Sequence, residues 1–127
     1  MPARAALAAV AAVLGLGLAP AQDAAPAAVK KHADIRYRTD PDADPERHTL
    51  DFYTPVGKTD FPVLFFVHGG TWKSGNRGMY TAVGEEFAKL GIGTVVINYR
   101  LSPAVKHPAH VEDVAKAFAW TKANAAR

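Results

Sequence analysis

The chain contains no cysteine. That absence excludes disulfides, thiolate zinc sites, a thiol nucleophile and an N-terminal cysteine that could carry lipid. Serine is nearly as scarce, with only Ser74 and Ser102 present. Ser74 lies in Lys73-Ser74-Gly75 and Ser102 precedes Pro103, so neither occupies a G-x-S-x-G sequence. No basic run occurs: 15 Lys and Arg are interspersed with 12 Asp and Glu at a net charge of +3. Nucleic acid is therefore not expected as a partner.

What remains is enough for one modest domain. Of 127 residues, 49% are apolar and 21% charged, a composition that builds a core. The opening stretch reads as an export signal. Arg4 and the amino terminus form a positive n-region, Ala5 to Leu18 an uncharged h-region, and Ala19-Pro20-Ala21 a small-x-small cleavage pattern. The alternative is a short membrane anchor, but the apolar stretch falls below the roughly 20 residues that span a bilayer. The expectation is a signal peptide over 1–21, cleavage after Ala21, no stable membrane anchor, and a secreted or periplasmic protein. Residues 22–33 read as a linker and 34–127 as the folded domain.

Periodicity then orders the domain. Ile35 and Tyr37 alternate with charged residues as a weak first strand, and "HTLDFYTP" alternates as a second. Val63 to Val67 is apolar on both faces, as in a strand covered on both sides of a parallel sheet. Tyr80, Val83, Phe87 and Leu90 fall at helical spacing and Gly91 supplies a stop. "TVVINY" is a further buried strand, and Val111, Val114, Ala115 and Phe118 begin a second helix. The order is strand, strand, strand, helix, strand, helix. It predicts an α/β fold whose last four elements form parallel strands joined by crossovers. In such sheets, sites form beyond the carboxyl ends of the strands, where His68-Gly69-Gly70 stands.

Four patterns suggest chemistry. Gly70 to Gly75 has the glycine spacing of a phosphate-binding loop, but Asn76 and Arg77 stand where Lys and Ser/Thr are required. The same loop could place backbone N–H groups around the oxyanion of an acyl-transfer reaction, or could be a tight turn that merely needs glycine. Asp40, Asp42 and Asp44 have the spacing of a calcium loop, yet Pro45 replaces its glycine, so a solvated turn is expected. His107 and His110 form H-x-x-H, which alone is no strong metal spacing, with His107 expected to cap a helix. Neither a metal nor another cofactor is expected.

The segments "LDFYTP", "FPVLFFVHGGTWKSG", "GIGTVVINYRLSP" and "HPAHVEDVAKAFAW" together resemble the α/β-hydrolase fold. The likeness is to esterases with an HGG-W loop: the acetyl-esterase and feruloyl-esterase-like group and its kynurenine formamidase relatives. It implies a serine carboxylic-ester hydrolase acting on a small-molecule ester. Gly70 and Thr71 would supply oxyanion N–H groups, His68 and Gly69 would support the loop, and Trp72 would wall the pocket. Arg100 and Asp113 look like scaffold residues, expected to pair across the loop Leu101 to Pro108. These enzymes use a serine at a G-x-S-x-G elbow followed by an acid and a histidine. None of that triad is present, so the expectation is the N-terminal portion of such a domain. The alternative is a non-catalytic remnant or interaction module. In the fold it resembles, Val63 to Val67 lies between the strand at Thr94 to Tyr99 and an elbow-bearing strand not found in this sequence, so the run is expected to form an edge at which the chain self-associates.

Overall fold

The computed structural model describes residues 25–125; the expected signal peptide lies outside them. Four strands and two helices follow the expected order: β1 (Val29–Arg36), β2 (Thr49–Pro55), β3 (Val63–Val67), α1 (Thr81–Lys89), β4 (Gly93–Ile97) and α2 (Ala109–Asn124). A 3-10 turn at Arg77–Tyr80 precedes α1, capped by the Asn76 side chain accepting from Met79 N–H. The strands form one sheet in the order β1-β2-β4-β3. β1 and β2 pair antiparallel, β2 and β4 antiparallel, and β3 and β4 parallel. No helix among the described residues is long and apolar enough to cross a membrane.

Each face of the sheet carries one helix. Leu50, Phe52, Val95, Ile97 and Ala117 form the larger core with Phe65, Val67, Val114 and Trp120 packed around it. Tyr53, Val96 and Ala88 form the smaller one with Phe66 and Tyr80. β4 is buried along its whole length because β2 and β3 flank it. Each aliphatic side chain so buried contributes about 1.5–3 kcal/mol.

Two expectations about the strands need correction. The linker over 22–33 is cut short, because β1 begins at Val29. Its charged residues sit at both parities, so periodicity found only its end near Ile35 and missed the start of a strand that is made by pairing with β2 and broken by a bulge between His32 and Ile35. The apolar run of β3 suggested cover on both faces, yet every residue in it is only half-buried. It is the terminal strand among the described residues, as the resemblance implied.

The helices also bury different residues from those expected. α1 turns Gly84 and Ala88 inward, while Phe87 and Leu90 are exposed. α2 buries His110, Asp113, Ala117 and Thr121, while Val111 and Phe118 are about half exposed. The reason in α1 is close approach to Tyr53, which is fully buried against it. A Cβ on Gly84 would stand 2.3 Å from the Tyr53 ring. Gly84→Ala is expected to destabilise the fold by about 1–3 kcal/mol through overpacking, despite alanine's higher helix propensity. The check is a urea unfolding midpoint; a midpoint equal to the parent's or higher would show that the Tyr53 ring can yield.

Candidate functional site

β3 ends at Val67 and delivers His68 to the carboxyl edge of the sheet. His68 is buried, its ring stacked on Tyr99 at 4.4 Å and facing Tyr80 at 6.2 Å. The Tyr99 hydroxyl donates to the His68 carbonyl at 2.8 Å. Burial pushes the His68 imidazole below its ordinary range, and the nearby Arg47 charge acts in the same direction. The neutral ring has Nδ1 2.7 Å from the Gly69 carbonyl, which places its one proton on Nδ1. Nε2 is then a buried acceptor, with no partner among the described residues.

The turn that follows is left-handed over three residues. Gly70 has φ +123°, and a Cβ there would lie 2.1 Å from the Ser74 carbonyl oxygen. Thr71 and Trp72 have φ of 53° and 64°, costly for residues with side chains. The gain is a Gly70 carbonyl turned inward, where it accepts from Lys73 N–H at 3.0 Å, Ser74 N–H at 3.1 Å and the Thr71 hydroxyl at 2.8 Å. The N–H groups of Gly70 and Thr71 donate to no protein group among the described residues. Gly75, at φ +95°, closes the turn against His68, where a Cβ would approach Nδ1 to 2.7 Å.

Trp72 lies across the edge of Tyr99 and beside His110, half-exposed. With Thr71, Ser102, Lys106, His107 and His110 it lines a cavity of about 360 Å³. A larger apolar groove runs along β3 and α2 past Phe65 and Phe118, and none of the turn residues lines it. The two serines are both engaged. Ser74 Oγ donates to the Gly70 carbonyl at 3.2 Å. Ser102 Oγ donates to the Val105 carbonyl at 3.0 Å and stands 3.0 Å from His110 Nε2. His110 lies in the first turn of α2 as expected, but the cap position belongs to Pro108, not His107. The Asp40–Asp44 segment folds as a turn: Asp44 Oδ1 accepts from Glu46 and Arg47 N–H, and Arg38 holds Asp40 at a pKa of about 2.

Two ionic clusters hold the frame of the site. Arg100 grips Asp113 through Nε and Nη2, each at 2.8 Å, and through its backbone N–H at 3.0 Å. His48, fully buried, adds a bond to Asp113 at 2.9 Å. Burial works to raise the Asp113 pKa, but the Arg100 bonds and the His48 bond more than offset it and keep it below the usual range. On the other side of the sheet, Arg77 donates to Asp51 at 2.8 Å and pairs with Asp34, while its backbone N–H binds Asn98 Oδ1 at 2.7 Å. Sequence reasoning found the Arg100–Asp113 pair but missed His48 and Arg77, whose partners lie 65 and 26 residues away.

A sequence model of the BD-FAE family matches residues 50–127, more than half of the chain. The chain belongs to the BD-FAE family. The match takes in the left-handed turn, Arg100 and Asp113, and leaves β1 and His48 outside it. Among curated relatives, a kynurenine formamidase of Meyerozyma guilliermondii is 48% identical over 63 residues, 48% of this chain and 24% of the relative. Esterase LipC of Mycobacterium tuberculosis is 42% identical over 64 residues, 50% of this chain and 16% of the relative. Esterase B of Lactobacillus rhamnosis superposes with a TM-score of 0.71 at 25% identity, over 81% of this chain and 32% of that one. The BD-FAE chain thus shares the fold of the N-terminal portion of these esterases and spans about a quarter of the first relative's length.

The Arg100–Asp113 pair should be strongly coupled, since the carboxylate is fully buried and the guanidinium largely shielded. A double-mutant cycle with Arg100→Ala and Asp113→Ala, read by chemical denaturation, is expected to give a coupling of at least about 1 kcal/mol. Additive effects would mean that the two residues act separately.

Proposed function

We propose that this chain is part of an exported carboxylic-ester hydrolase, in which the N–H groups of Gly70 and Thr71 bind the oxyanion of acyl transfer. The left-handed turn over Gly70–Trp72 carries this reading. By turning the Gly70 carbonyl inward, it leaves two adjacent N–H groups without protein acceptors among the described residues, at the carboxyl end of a parallel strand. Attack on an ester carbonyl moves negative charge onto its oxygen, and a preorganised donor there is worth about 3 kcal/mol in the transition state. Family membership and the ester hydrolases among the relatives support the same reaction class. The substrate is a small-molecule ester. Ser74 and Ser102 each donate to a main-chain carbonyl, so the attacking serine comes from another segment.

The test uses the protein made from its own gene in its own cells. A fluorophosphonate probe is expected to label the polypeptide containing residues 50–127 at a serine other than Ser74 and Ser102. Its mature form is expected to begin at Gln22 by mass spectrometry. Gly70→Ala, which drives a Cβ into the Ser74 carbonyl, should lower kcat about 10²- to 10³-fold. Labelling at Ser74 or Ser102, or undiminished turnover in Gly70→Ala, would overturn the catalytic reading. An intact Met1 or Pro2 terminus would overturn export.

One observation favours a second role, that of an interaction module. Among the described residues β3 is a terminal strand of Val, Leu, Phe, Phe and Val, with no charge within the run to blunt it. The isolated chain of residues 22–127 is expected to self-associate through this edge. Light scattering should show mass rising with concentration and falling back in Phe65→Lys. A monomer at all concentrations would remove the second role.

A further inference from the structure

His48 takes no part in the turn just described, yet it is fully buried and both of its ring nitrogens are engaged. Nδ1 lies 2.7 Å from the backbone nitrogen of Asp44. A peptide N–H can only donate, so Nδ1 must be the bare acceptor. Nε2 therefore carries the proton and donates it to Asp113 Oδ1 at 2.9 Å. The ring is thus held neutral, in the Nε2–H tautomer, between the 40–47 loop and helix α2, which are distant in sequence.

Arg38 Nη1 stands 3.5 Å from Nε2, from the segment between β1 and β2. The Tyr37 ring meets the imidazole edge-on at 5.6 Å. From α2 comes the Asp113 carboxylate, which also receives Arg100 from the end of β4. From the His48 loop comes the Asp44 carboxylate, already accepting from Glu46 and Arg47 N–H. Two cations and two anions face the ring, so no net opposite charge rewards protonating it. Protonation would also set an Nδ1–H against the Asp44 N–H.

From His48 a continuous chain of contacts leads to the left-handed turn. His48 fixes Asp113, which fixes the Arg100 backbone N–H at 3.0 Å. The preceding residue, Tyr99, binds the His68 carbonyl through its hydroxyl and stacks on the His68 ring. His68 is two residues before Gly70. We propose that neutral His48 is a positioning residue for the Gly70–Trp72 turn, and that protonating Nδ1 uncouples the 40–47 loop from it. The importance of that turn to acyl transfer rests on the function proposed above; the tautomer and its coupling do not.

The sign of the pH dependence follows from the geometry. Burial pushes His48 below its ordinary 6.5; the Asp113 bond opposes this, and Arg38 and Arg100 reinforce it. A group depressed in the folded state contributes stability above the unfolded value near 6.5 and loses it as pH falls through the folded value.

The test is nitrogen-15 NMR of the full chain, with no substrate involved, so its failure is distinguishable from failure of the catalytic reading. At pH 7 the His48 ring is expected to show a protonated Nε2 and a bare Nδ1. As pH falls towards the folded pKa, the exchange protection factor of the Asp44 amide should drop by up to about tenfold per pH unit and level off below it, and the Thr71 amide should shift with its midpoint at that pKa. His48→Gln keeps a donor to Asp113 and cannot titrate, so its Asp44 protection should be low and pH-independent. Its Thr71 shift should lose the titration. An imidazolium or an Nδ1–H tautomer at pH 7, an Asp44 protection factor that does not change with pH, or a Thr71 titration that persists in His48→Gln would overturn the proposal. The ring measurement stands on the unmutated chain, whatever the variant's stability.

Discussion

The Asp113 carboxylate is the constraint around which the frame is built. It is a fully buried anion, which costs several kcal/mol to desolvate unless its lone pairs are filled. They are filled from two directions: by Arg100, where the chain leaves β4, and by His48, where it enters β2. Its own position is on α2. One side chain therefore joins three elements at the end of the sheet where the left-handed turn stands. Its partners supply direction as well as charge, because a guanidinium fork and a ring N–H each fix an angle. The loops at this end can then be long and irregular without being loose.

How much of this was legible depends on whether the signal was local. Val63 to Val67 and the glycines after it were legible, because an apolar run ending in Gly-Gly leaves few backbone options. The parallel β3–β4 pairing followed from the strand–helix–strand order. Arg100 and Asp113 lie 13 residues apart and could be paired from the resemblance. The faces of the helices were not legible. Large apolar residues normally mark the inward stripe, but here the sheet comes close enough that Gly84, Ala88 and Ala117 occupy it. β1 was obscured for a related reason: an edge strand is defined by its neighbour's hydrogen bonds, and its own side chains carry little pattern.

His48 shows the sharper limit. Its neighbours in sequence are Arg47 and Thr49, which say nothing of a buried ring. Its role arises because a proline-rich turn folds back to present the Asp44 N–H to it. The one available signal was Asp44 itself, an aspartate followed by proline, whose side chain caps its own turn. The 40–47 segment is the solvated turn its composition suggests, and it also presents one ordered N–H to the buried ring. The left-handed Thr71 and Trp72 were equally hidden, since neither residue type favours that conformation.

The place of β4 has a consequence for how the chain comes to be folded. It follows β1, β2 and β3 in the sequence, yet it lies between β2 and β3, with one neighbour antiparallel and the other parallel. Until β4 has left the ribosome, the nascent β2 and β3 have no common partner, and the Val-Leu-Phe-Phe-Val segment has no strand among the described residues to pair with. The β1–β2 pair can form first, but β3 can join it only once β4 has inserted between them, a non-local and slow kind of assembly. During that interval the most apolar segment of the domain is the most exposed one, which is the condition that recruits holding chaperones.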